Sequence, residues 1–222
     1  EGIHTWGAWC NDTTGNEDWS DSNRTFRIDQ TPPSISLPLY PNATKKTSSQ
    51  SLTLNISVSD SGVGVHSCTV NIQTSSTGNL TFTYSNGWCN GTYPLTGTQD
   101  GNQTINIYAN DTLGNLNLNN QYVVWIDNSL PTAELISPVN NYNTTSSSVT
   151  FQLKCYDNFQ PETLQLWSNW TGTWSLNATN TSPINDTPWI ITINNIPEGI
   201  HTWGAWCNDT TGNEDWSDSN RT

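Results

Sequence analysis

The stretch LTLNISVSDSGVGVHSC, Leu52–Cys68, sets the interpretation of the whole chain. Apolar residues alternate with Thr, Asn and Ser from Leu52 to Val58, which is the period of a β-strand with one buried face. The run DSGVG follows and indicates a turn, after which alternation resumes around Cys68. The pattern predicts two strands joined by a turn.

The same period of two recurs along the chain, and the turn-forming runs SNG, TGTQDGN, NDTLGN and NDTTGN separate its segments. No stretch of a dozen residues carries an apolar stripe of helical period. The sequence therefore predicts an all-β fold, with two-sheet sandwiches as its form. The further alternating sets are Cys68, Val70 and Ile72; Ile105, Ile107 and Ala109; Val149, Phe151, Leu153 and Cys155; and Trp203, Ala205 and Cys207.

An internal repeat organises the chain. Residues 1–25, EGIHTWGAWCNDTTGNEDWSDSNRT, return unchanged as residues 198–222, an offset of 197 (198 − 1). A second similarity links FRIDQTPPSISL with VWIDNSLPTAELISP, whose aspartates Asp29 and Asp127 are 98 residues apart (127 − 29). About 100 residues is the size of one immunoglobulin-like sandwich.

The repeat predicts tandem immunoglobulin-like domains in an extended array. Residues 1–29 are expected to hold the last strands of a preceding module B, residues 30–127 module A, and residues 128–222 a module B with a truncated last strand. We expect the chain to continue after Thr222 with FRIDQTPP, as it does after Thr25.

Five cysteines complete the framework, and the repeat makes Cys10 and Cys207 the same position. Shared core-facing positions predict that Cys68 pairs with Cys89, and that Cys155 pairs with Cys207 between the second and sixth strands. On the chain-entropy model these bonds contribute about 3 and about 4 kcal/mol. Cys10 is expected to pair outside this sequence. Reduced core thiols are the alternative, and the absence of a Cys-x-x-Cys motif disfavours metal ligation.

Composition narrows the classes of partner. Six Lys and Arg against 19 Asp and Glu give a net charge of −13, which repels nucleic acid. Twelve Trp residues indicate a folded chain with cores rather than a disordered one. No run of about 18 apolar residues is present, so we expect no membrane span in this sequence.

Acceptor tripeptides for N-glycosylation are dense. Chance alone produces some of them in a chain this rich in Asn, Ser and Thr. Disulfide-type cysteines and the placement of the tripeptides at turns and on polar strand faces favour their use. Asn185 is the poorest candidate because Pro188 follows its Thr187. The predicted sites are Asn11, Asn23, Asn42, Asn55, Asn79, Asn90, Asn102, Asn110, Asn143, Asn169, Asn177, Asn180, Asn208 and Asn220.

Four segments, IDQTPPSISLP, LTLNISVSDSGVGVHSC, INIYANDTLGN and HTWGAWCNDTTGN, resemble the tandem immunoglobulin-like repeats of archaeal and some bacterial surface proteins. In that family a TPP linker starts a domain, and an Asp-x-x-Gly-Asn turn follows the sixth strand. The resemblance covers essentially the whole chain. It implies a secreted or cell-surface protein, often glycosylated, with no catalytic residues.

Catalysis and metal binding find little support in the motifs. His66 and His201 lie in strands without a nucleophile pattern nearby, so we expect no enzyme, catalytic residue or cofactor. Calcium at a module junction is the chemical alternative, because oxygen ligands gather before the next copy of Asp29. The other interpretation is that Asp209 and Asn213 serve backbone amides of their turn. No regular calcium-loop spacing is present among these residues, which favours the turn interpretation. The gathered residues are Asp209, Asn213, Glu214, Asp215 and Asp218.

Tryptophans divide by strand face. Trp203 shares the core position of Cys207 and is expected to stack against the disulfide. Outward tryptophans suit contacts between domains or chains, which we favour, or stacking on sugars. The outward set is Trp9, Trp125, Trp167 and Trp206.

The combined prediction is a structural repeat unit of a long extracellular or cell-surface filament, stalk or fibre, stabilised by disulfides and N-glycosylated. Its expected partners are neighbouring repeats and identical chains, with no nucleic acid. The alternative is an adhesin or carbohydrate-binding module that uses the outward Trp residues.

Overall fold

A computed structural model describes residues 1–36 and 44–222. The predicted all-β class is confirmed, since the described residues form strands and no helix. The chain divides into two compact units. The first comprises Glu1–Thr44, Ser48–Thr98 and Asn102–Val124, and the second comprises Lys45–Thr47, Gln99–Gly101 and Trp125–Thr222. The predicted glycosylation site Asn42 lies outside the described residues.

The first 28 residues form two exposed antiparallel pairs. Strand β1 (Gly2–Trp6) pairs with β4 (Arg24–Ile28), and β2 (Trp9–Asn11) pairs with β3 (Glu17–Trp19). Every residue from 1 to 28 is exposed. This part of the first unit is therefore held by backbone hydrogen bonds rather than by a hydrophobic core.

Most residues of the next eight strands belong to the first unit and surround one core. Alternation places Leu52, Leu54, Ile56 and Val58 inward from one strand, each at most 1% exposed. The hydrogen-bonded order is β5-β7-β10-β9-β8-β11-β12-β6. The strands are β5 (Ser34–Ile35), β6 (Thr44–Lys46), β7 (Ser51–Ser59), β8 (Val65–Ile72), β9 (Leu80–Ser85), β10 (Trp88–Pro94), β11 (Gly101–Asp111) and β12 (Leu116–Ile126).

Strand β9 connects the two halves of this sandwich. It pairs with β10 through Thr83, Tyr84 and Ser85 and with β8 through Leu80, Thr81 and Phe82. The hydrogen-bonded ladder therefore runs without a break from β5 to β6. The disulfide Cys68–Cys89 joins β8 to β10, the two strands that flank β9, and both cysteines are fully buried.

The second unit is a sandwich of two separate sheets, ordered β13-β14-β17 and β16-β15-β18-β19. The disulfide Cys155–Cys207 joins β14 to β18, the second and sixth strands of this sandwich, and so links its two sheets. The strands are β13 (Thr132–Ser137), β14 (Val149–Tyr156), β15 (Pro161–Ser168), β16 (Ser175–Asn180), β17 (Trp189–Ile193), β18 (Trp203–Asp209) and β19 (Glu214–Trp216).

Aromatic packing fills the core beside that disulfide. Trp203 is 4% exposed and meets Phe151 edge-on, with 5.0 Å between ring centroids. Trp170 contacts the same Phe151 ring at 5.4 Å. Arg221 lies over Trp203, and its guanidinium donates to the carbonyl oxygens of Leu135, Ile136 and Pro138. The last residues of the chain are thus attached to β13 and the residue that follows it.

Candidate metal centre

Three buried carboxylates meet at one end of the second sandwich. Asp127 follows β12, Asp157 follows β14, and Asp209 is the last residue of β18. Each offers an oxygen that lies within 4.8 Å of the others, and the three residues are 1%, 2% and 0% exposed. We call this group the second-unit carboxylate cluster.

Asp209 organises the turn that follows β18. Its Oδ1 accepts hydrogen bonds from the backbone N–H groups of Thr211, Gly212 and Asn213 at 2.7, 2.7 and 3.0 Å. The Nδ2 of Asn213 donates to Asp209 Oδ2 at 2.7 Å and also to the backbone carbonyl of Asp127 at 3.1 Å. The turn role that the sequence predicts for these two residues is observed, and Asn213 additionally links the turn to Asp127.

In Asp127 and in Asp157, only one of the two carboxylate oxygens accepts a hydrogen bond. Asp127 Oδ1 accepts from the Ser129 N–H at 3.1 Å, and Asp157 Oδ2 accepts from the Phe159 N–H. Asp127 Oδ2 and Asp157 Oδ1 are buried and have no hydrogen-bond partner among the described residues. Two oxygens in the cluster therefore lack the compensation that buried polar atoms normally receive.

The backbone of Asp157 is held by the side chain of Asn185. Asn185 Oδ1 accepts from the Asp157 N–H at 2.9 Å, and Asn185 Nδ2 donates to the Asp157 carbonyl at 2.7 Å. Asn185 is the poorest glycosylation candidate in the sequence, and this pair of hydrogen bonds gives its side chain a structural role. It also fixes the main chain that presents the Asp157 carboxylate.

Burial and mutual repulsion dominate the electrostatics of the cluster. Burial raises the pKa of Asp127, and the charges on Asp157 and Asp209 raise it further. Burial also raises the pKa of Asp157, with a further contribution from Asp209. Among residues 1–36 and 44–222, both ion pairs belong to Lys154, which contacts Glu134 and Asp186. No described Lys or Arg thus forms an ion pair with the cluster.

The first unit repeats the arrangement with Asp29, Asp60 and Asp111, whose oxygens also lie within 4.8 Å of one another. Asp29 follows β4, Asp60 follows β7 and Asp111 ends β11. Asn115 Nδ2 donates to Asp111 Oδ2 at 2.6 Å and to the Asp29 carbonyl at 3.1 Å, as Asn213 does in the second unit. We call this group the first-unit carboxylate cluster.

The first-unit cluster differs from its counterpart in which carboxylate oxygens accept hydrogen bonds. Asp29 accepts from the N–H groups of Thr31 and Val63, so both of its oxygens are used. A side chain at Gly62 would overlap Asp29 Oδ2, which explains the glycine in this loop. Asp60 Oδ1 is buried without a partner among the described residues. Burial acts to raise the pKa of Asp111, but hydrogen bonds from Asn115 and from Leu113 outweigh it and lower that pKa.

Sequence reasoning found one of the six carboxylates of these clusters as a candidate ligand, namely Asp209. Glu214, Asp215 and Asp218, which it grouped with Asp209, are not members of either cluster. A usable signal was present in the spacing of the aspartates. Asp29, Asp60 and Asp111 are separated by 31 and 51 residues (60 − 29, 111 − 60), and Asp127, Asp157 and Asp209 by 30 and 52 (157 − 127, 209 − 157).

A second candidate surface is aromatic and belongs to the second unit. Trp216 contacts Trp167 and Trp174 at centroid distances of 5.3 and 6.3 Å. A groove of about 300 Å³ runs beside these rings. Its lining residues are Trp174, Trp216, Ser217, Asp218, Ser219 and Asn220.

The tryptophans predicted to face outward differ in exposure. Trp9 is 46% exposed, whereas Trp125, Trp167 and Trp206 are half-buried. Trp125 contacts the ring of Phe159 at 5.4 Å. The two exposed rings of the groove, Trp174 and Trp216, were not in the predicted set, because they stand where no alternating pattern assigns a face.

The described glycosylation candidates fall into two groups. In the first the Asn residue is exposed, and in the second it is half-buried. The Nδ2 atoms of Asn177 and Asn208 are engaged, donating to Ser168 Oγ at 2.7 Å and to Glu162 Oε2 at 2.9 Å respectively. The exposed group is Asn11, Asn23, Asn79, Asn90, Asn102, Asn143 and Asn220; the half-buried group is Asn55, Asn110, Asn169, Asn177, Asn180 and Asn208.

No protein-family model and no curated protein matches the sequence. Three solved structures illustrate its structural neighbours. A Ca²⁺-stabilized adhesin of an Antarctic bacterium has 12% identity and a TM-score of 0.46, covering 100% of this chain and 56% of its own. A 1.5-MDa bacterial ice-binding adhesin has 13% identity and a TM-score of 0.45, covering 99% and 73%. Fibronectin(III)-like modules of CbhA from Clostridium thermocellum have 14% identity and a TM-score of 0.40, covering 83% and 92%.

Similarities at this level reflect the arrangement of strands and do not identify a family. The calcium in one of these adhesins is accordingly no argument for calcium in this chain. Within the described residues, no helix has the length and apolar character that a membrane span requires.

Proposed function

We propose that this chain is a structural repeat unit of a long extracellular or cell-surface filament, stalk or fibre, N-glycosylated and stabilised by disulfides. The observation that carries the proposal is that each unit has its own hydrophobic core and its own buried disulfide. A module with an internal disulfide cannot be stretched to its full length even after its core opens, because the disulfide carries the force past the residues between the two cysteines. This is a useful property for a chain under tension.

Two further features support an extracellular chain of repeats. Disulfides persist in oxidising surroundings, outside the cytosol of most cells. The identical segments 1–25 and 198–222 indicate that the same structural part is used more than once. Neighbouring repeats and identical chains are the partners that such an arrangement implies.

Pulling the chain from its two ends in a single-molecule force experiment tests the mechanical part of the proposal. Reduction should lengthen the extension step of the second unit by about 180 Å, since its bridge spans 52 residues at roughly 3.5 Å each. The step of the first unit should lengthen by about 70 Å, from a span of 21 residues. Cys10→Ala is the matched control and should change neither step. Extension without discrete steps, or steps whose length does not change on reduction, would contradict a mechanical role.

Location is tested separately by immuno-electron microscopy of cells that make the protein. An antibody raised against residues 198–222 should label fibres or a layer outside the cell, and glycopeptide mapping should find sugar on exposed sites such as Asn90 and Asn143. Label confined to the cell interior, or an entirely unmodified chain, would count against the proposal.

The Trp174–Trp216 groove favours a second candidate function, carbohydrate binding by aromatic stacking. Trp216→Ala should abolish binding on a glycan array, whereas Trp19→Ala should not. Trp19 is the same repeat position (19 + 197 = 216), but its ring contacts Trp9 and lacks counterparts of Trp167 and Trp174. Equal binding by both variants, or no binding by the unmodified chain, would remove this candidate.

A further inference from the structure

We propose that Asp127, Asp157 and Asp209 bind one calcium-type divalent cation, and that Asp29, Asp60 and Asp111 form a second site of the same design. The proposal is independent of whether the chain forms a filament. It assigns a ligand to the two carboxylate clusters and a reason for their burial.

The unpartnered oxygens carry the argument. Asp127 and Asp157 are 1% and 2% exposed, yet Asp127 Oδ2 and Asp157 Oδ1 receive no hydrogen bond from the described residues. Burying a carboxylate oxygen without compensation is strongly unfavourable. Both residues belong to a cluster whose offered oxygens lie within 4.8 Å of one another, so one cation can compensate them together.

The spacing of the oxygens fits a calcium coordination sphere. Calcium–oxygen distances of about 2.3–2.6 Å place two ligands on opposite sides of the ion roughly 4.6–5.2 Å apart. Three oxygens within 4.8 Å of one another can therefore touch the same ion.

The type of donor selects the type of metal. Each cluster consists of carboxylates alone, and oxygen donors favour hard cations over zinc or copper. Calcium accepts several carboxylates in irregular geometry, whereas magnesium needs a near-octahedral site and usually keeps several waters with one or two carboxylates. Three carboxylates from three separate segments of chain point to calcium.

Charge leads to the same conclusion. Three aspartates are buried together in the second unit, and no described Lys or Arg forms an ion pair with them. Ionised carboxylates held this close together repel one another. A divalent ion would remove most of that repulsion.

The recurrence in the first unit is a separate observation. Asp29, Asp111 and Asn115 precede Asp127, Asp209 and Asn213 by 98 residues each, and Asp60 precedes Asp157 by 97 (157 − 60). In both units an Asn side chain bridges the aspartate at the end of a strand and the backbone carbonyl of Asp29 or Asp127. Asp60 also has a buried, unpartnered oxygen.

Calorimetric titration of the intact oxidised chain, after removal of metal with EDTA, tests the proposal with Ca²⁺ and Mg²⁺ as probes. We expect two Ca²⁺ ions per chain and weaker binding of Mg²⁺. Asp127→Asn should weaken one site by at least about tenfold, since loss of even an outer-sphere partner commonly costs 10–100-fold in affinity. The amide oxygen can still accept from Ser129, which keeps the local fold. Asp60→Asn should weaken the other site.

Asp12→Asn is the matched control. Asp12 is the copy of Asp209 (12 + 197 = 209), forms the same turn and is exposed, and it belongs to neither cluster of the described residues. This variant should keep both calcium sites. Calcium should also raise the melting temperature of the unmodified chain by mass action, and raise that of Asp127→Asn by less.

Three results would overturn the proposal. The first is the absence of saturable calcium binding up to about 10 mM, which lies beyond the weakest range of extracellular calcium modules. The second is identical calcium affinity and stoichiometry in Asp127→Asn and Asp12→Asn. The third is Mg²⁺ binding as tight as Ca²⁺ binding, which would contradict the assignment to calcium.

Discussion

Segments 1–25 and 198–222 have one sequence and two environments. Trp6 is 52% exposed, whereas Trp203 at the same repeat position is 4% exposed. Cys10 is an exposed free thiol, and Cys207 is fully buried and bonded to Cys155. The side chains alone therefore do not decide whether this segment belongs to a core. Packing against β14 and β15 decides that residues 198–222 belong to a core.

What the two copies share is equally informative. In the first copy Trp9, Cys10 and Asn11 pair with Trp19, Asp18 and Glu17, and the second copy has the same register between Trp206–Asn208 and Glu214–Trp216. The turns match as well, because Asp12 Oδ1 accepts from the N–H groups of Thr14 and Asn16. The hairpin and its turn are thus local properties of the sequence. The long strand β18, the disulfide and the carboxylate cluster are tertiary properties.

The largest expected difference between the copies concerns the disulfide. Cys207→Ala should lower the free energy of unfolding of the second unit by about 4 kcal/mol, because it opens a loop of 52 residues. Cys10→Ala should leave that value unchanged. Guanidinium denaturation followed by tryptophan fluorescence measures both, and equal losses would show that Cys10 is also structurally engaged.

Tryptophan burial should give the next difference. Trp203→Ala removes a ring packed against Phe151 and should cost at least about 3 kcal/mol of unfolding free energy. Trp6→Ala affects a half-exposed ring and should change stability by less than about 0.5 kcal/mol. Thermal unfolding of the two variants provides the comparison. A large loss in Trp6→Ala would mean that the first copy is packed against something in solution.

A smaller difference should separate the two turn asparagines. Asn16 and Asn213 both donate to the aspartate of their turn, but Asn213 also bonds the Asp127 carbonyl. Asn213→Ala should therefore cost about 1 kcal/mol more than Asn16→Ala, the usual net contribution of one hydrogen bond. The free energy of unfolding should be measured in the presence of EDTA, so that cation binding does not contribute. Equal costs would show that the bond to Asp127 adds nothing.

The smallest expected effect concerns the pKa of Asp12 in the exposed copy, residues 1–25. Hydrogen bonds from the Asn16 side chain and from Thr14 lower the pKa of Asp12 below its ordinary value of 3.8. Because the folded-state pKa is depressed, the stabilisation of the turn is present above pH 3.8 and is lost as pH falls through the lower folded value. Carbon-detected NMR should find Asp12 still ionised at about pH 3. Asn16→Ala should move its pKa toward 3.8, and a normal titration in the unmodified chain would show that the exposed turn is not formed.

Strand positions were predictable because alternation is a local signal. Leu52, Leu54, Ile56 and Val58 are buried in β7 as the period of two indicates. The carboxylate clusters were not predictable in the same way. Asp127, Asp157 and Asp209 come from separate segments of sequence, and only the order of strands in the sandwich brings them within 4.8 Å. Trp216 likewise acquires its neighbours Trp167 and Trp174 through strand pairing in the sheet β16-β15-β18-β19.

Strand β9 of the first unit has a consequence for aggregation. The first half of β9, Leu80–Phe82, pairs with β8 and its second half, Thr83–Ser85, pairs with β10, so β9 passes from β8 to β10 and joins their ladders into one. The second unit lacks such a strand, so β13 and β17 are the edges of one sheet and β16 and β19 are the edges of the other. Open edges are templates for the addition of a strand from another molecule, and refolding chains expose such strands to one another. We expect chains that misassemble to join through these edge strands, and protease mapping of the aggregates would then recover the edge strands rather than β9.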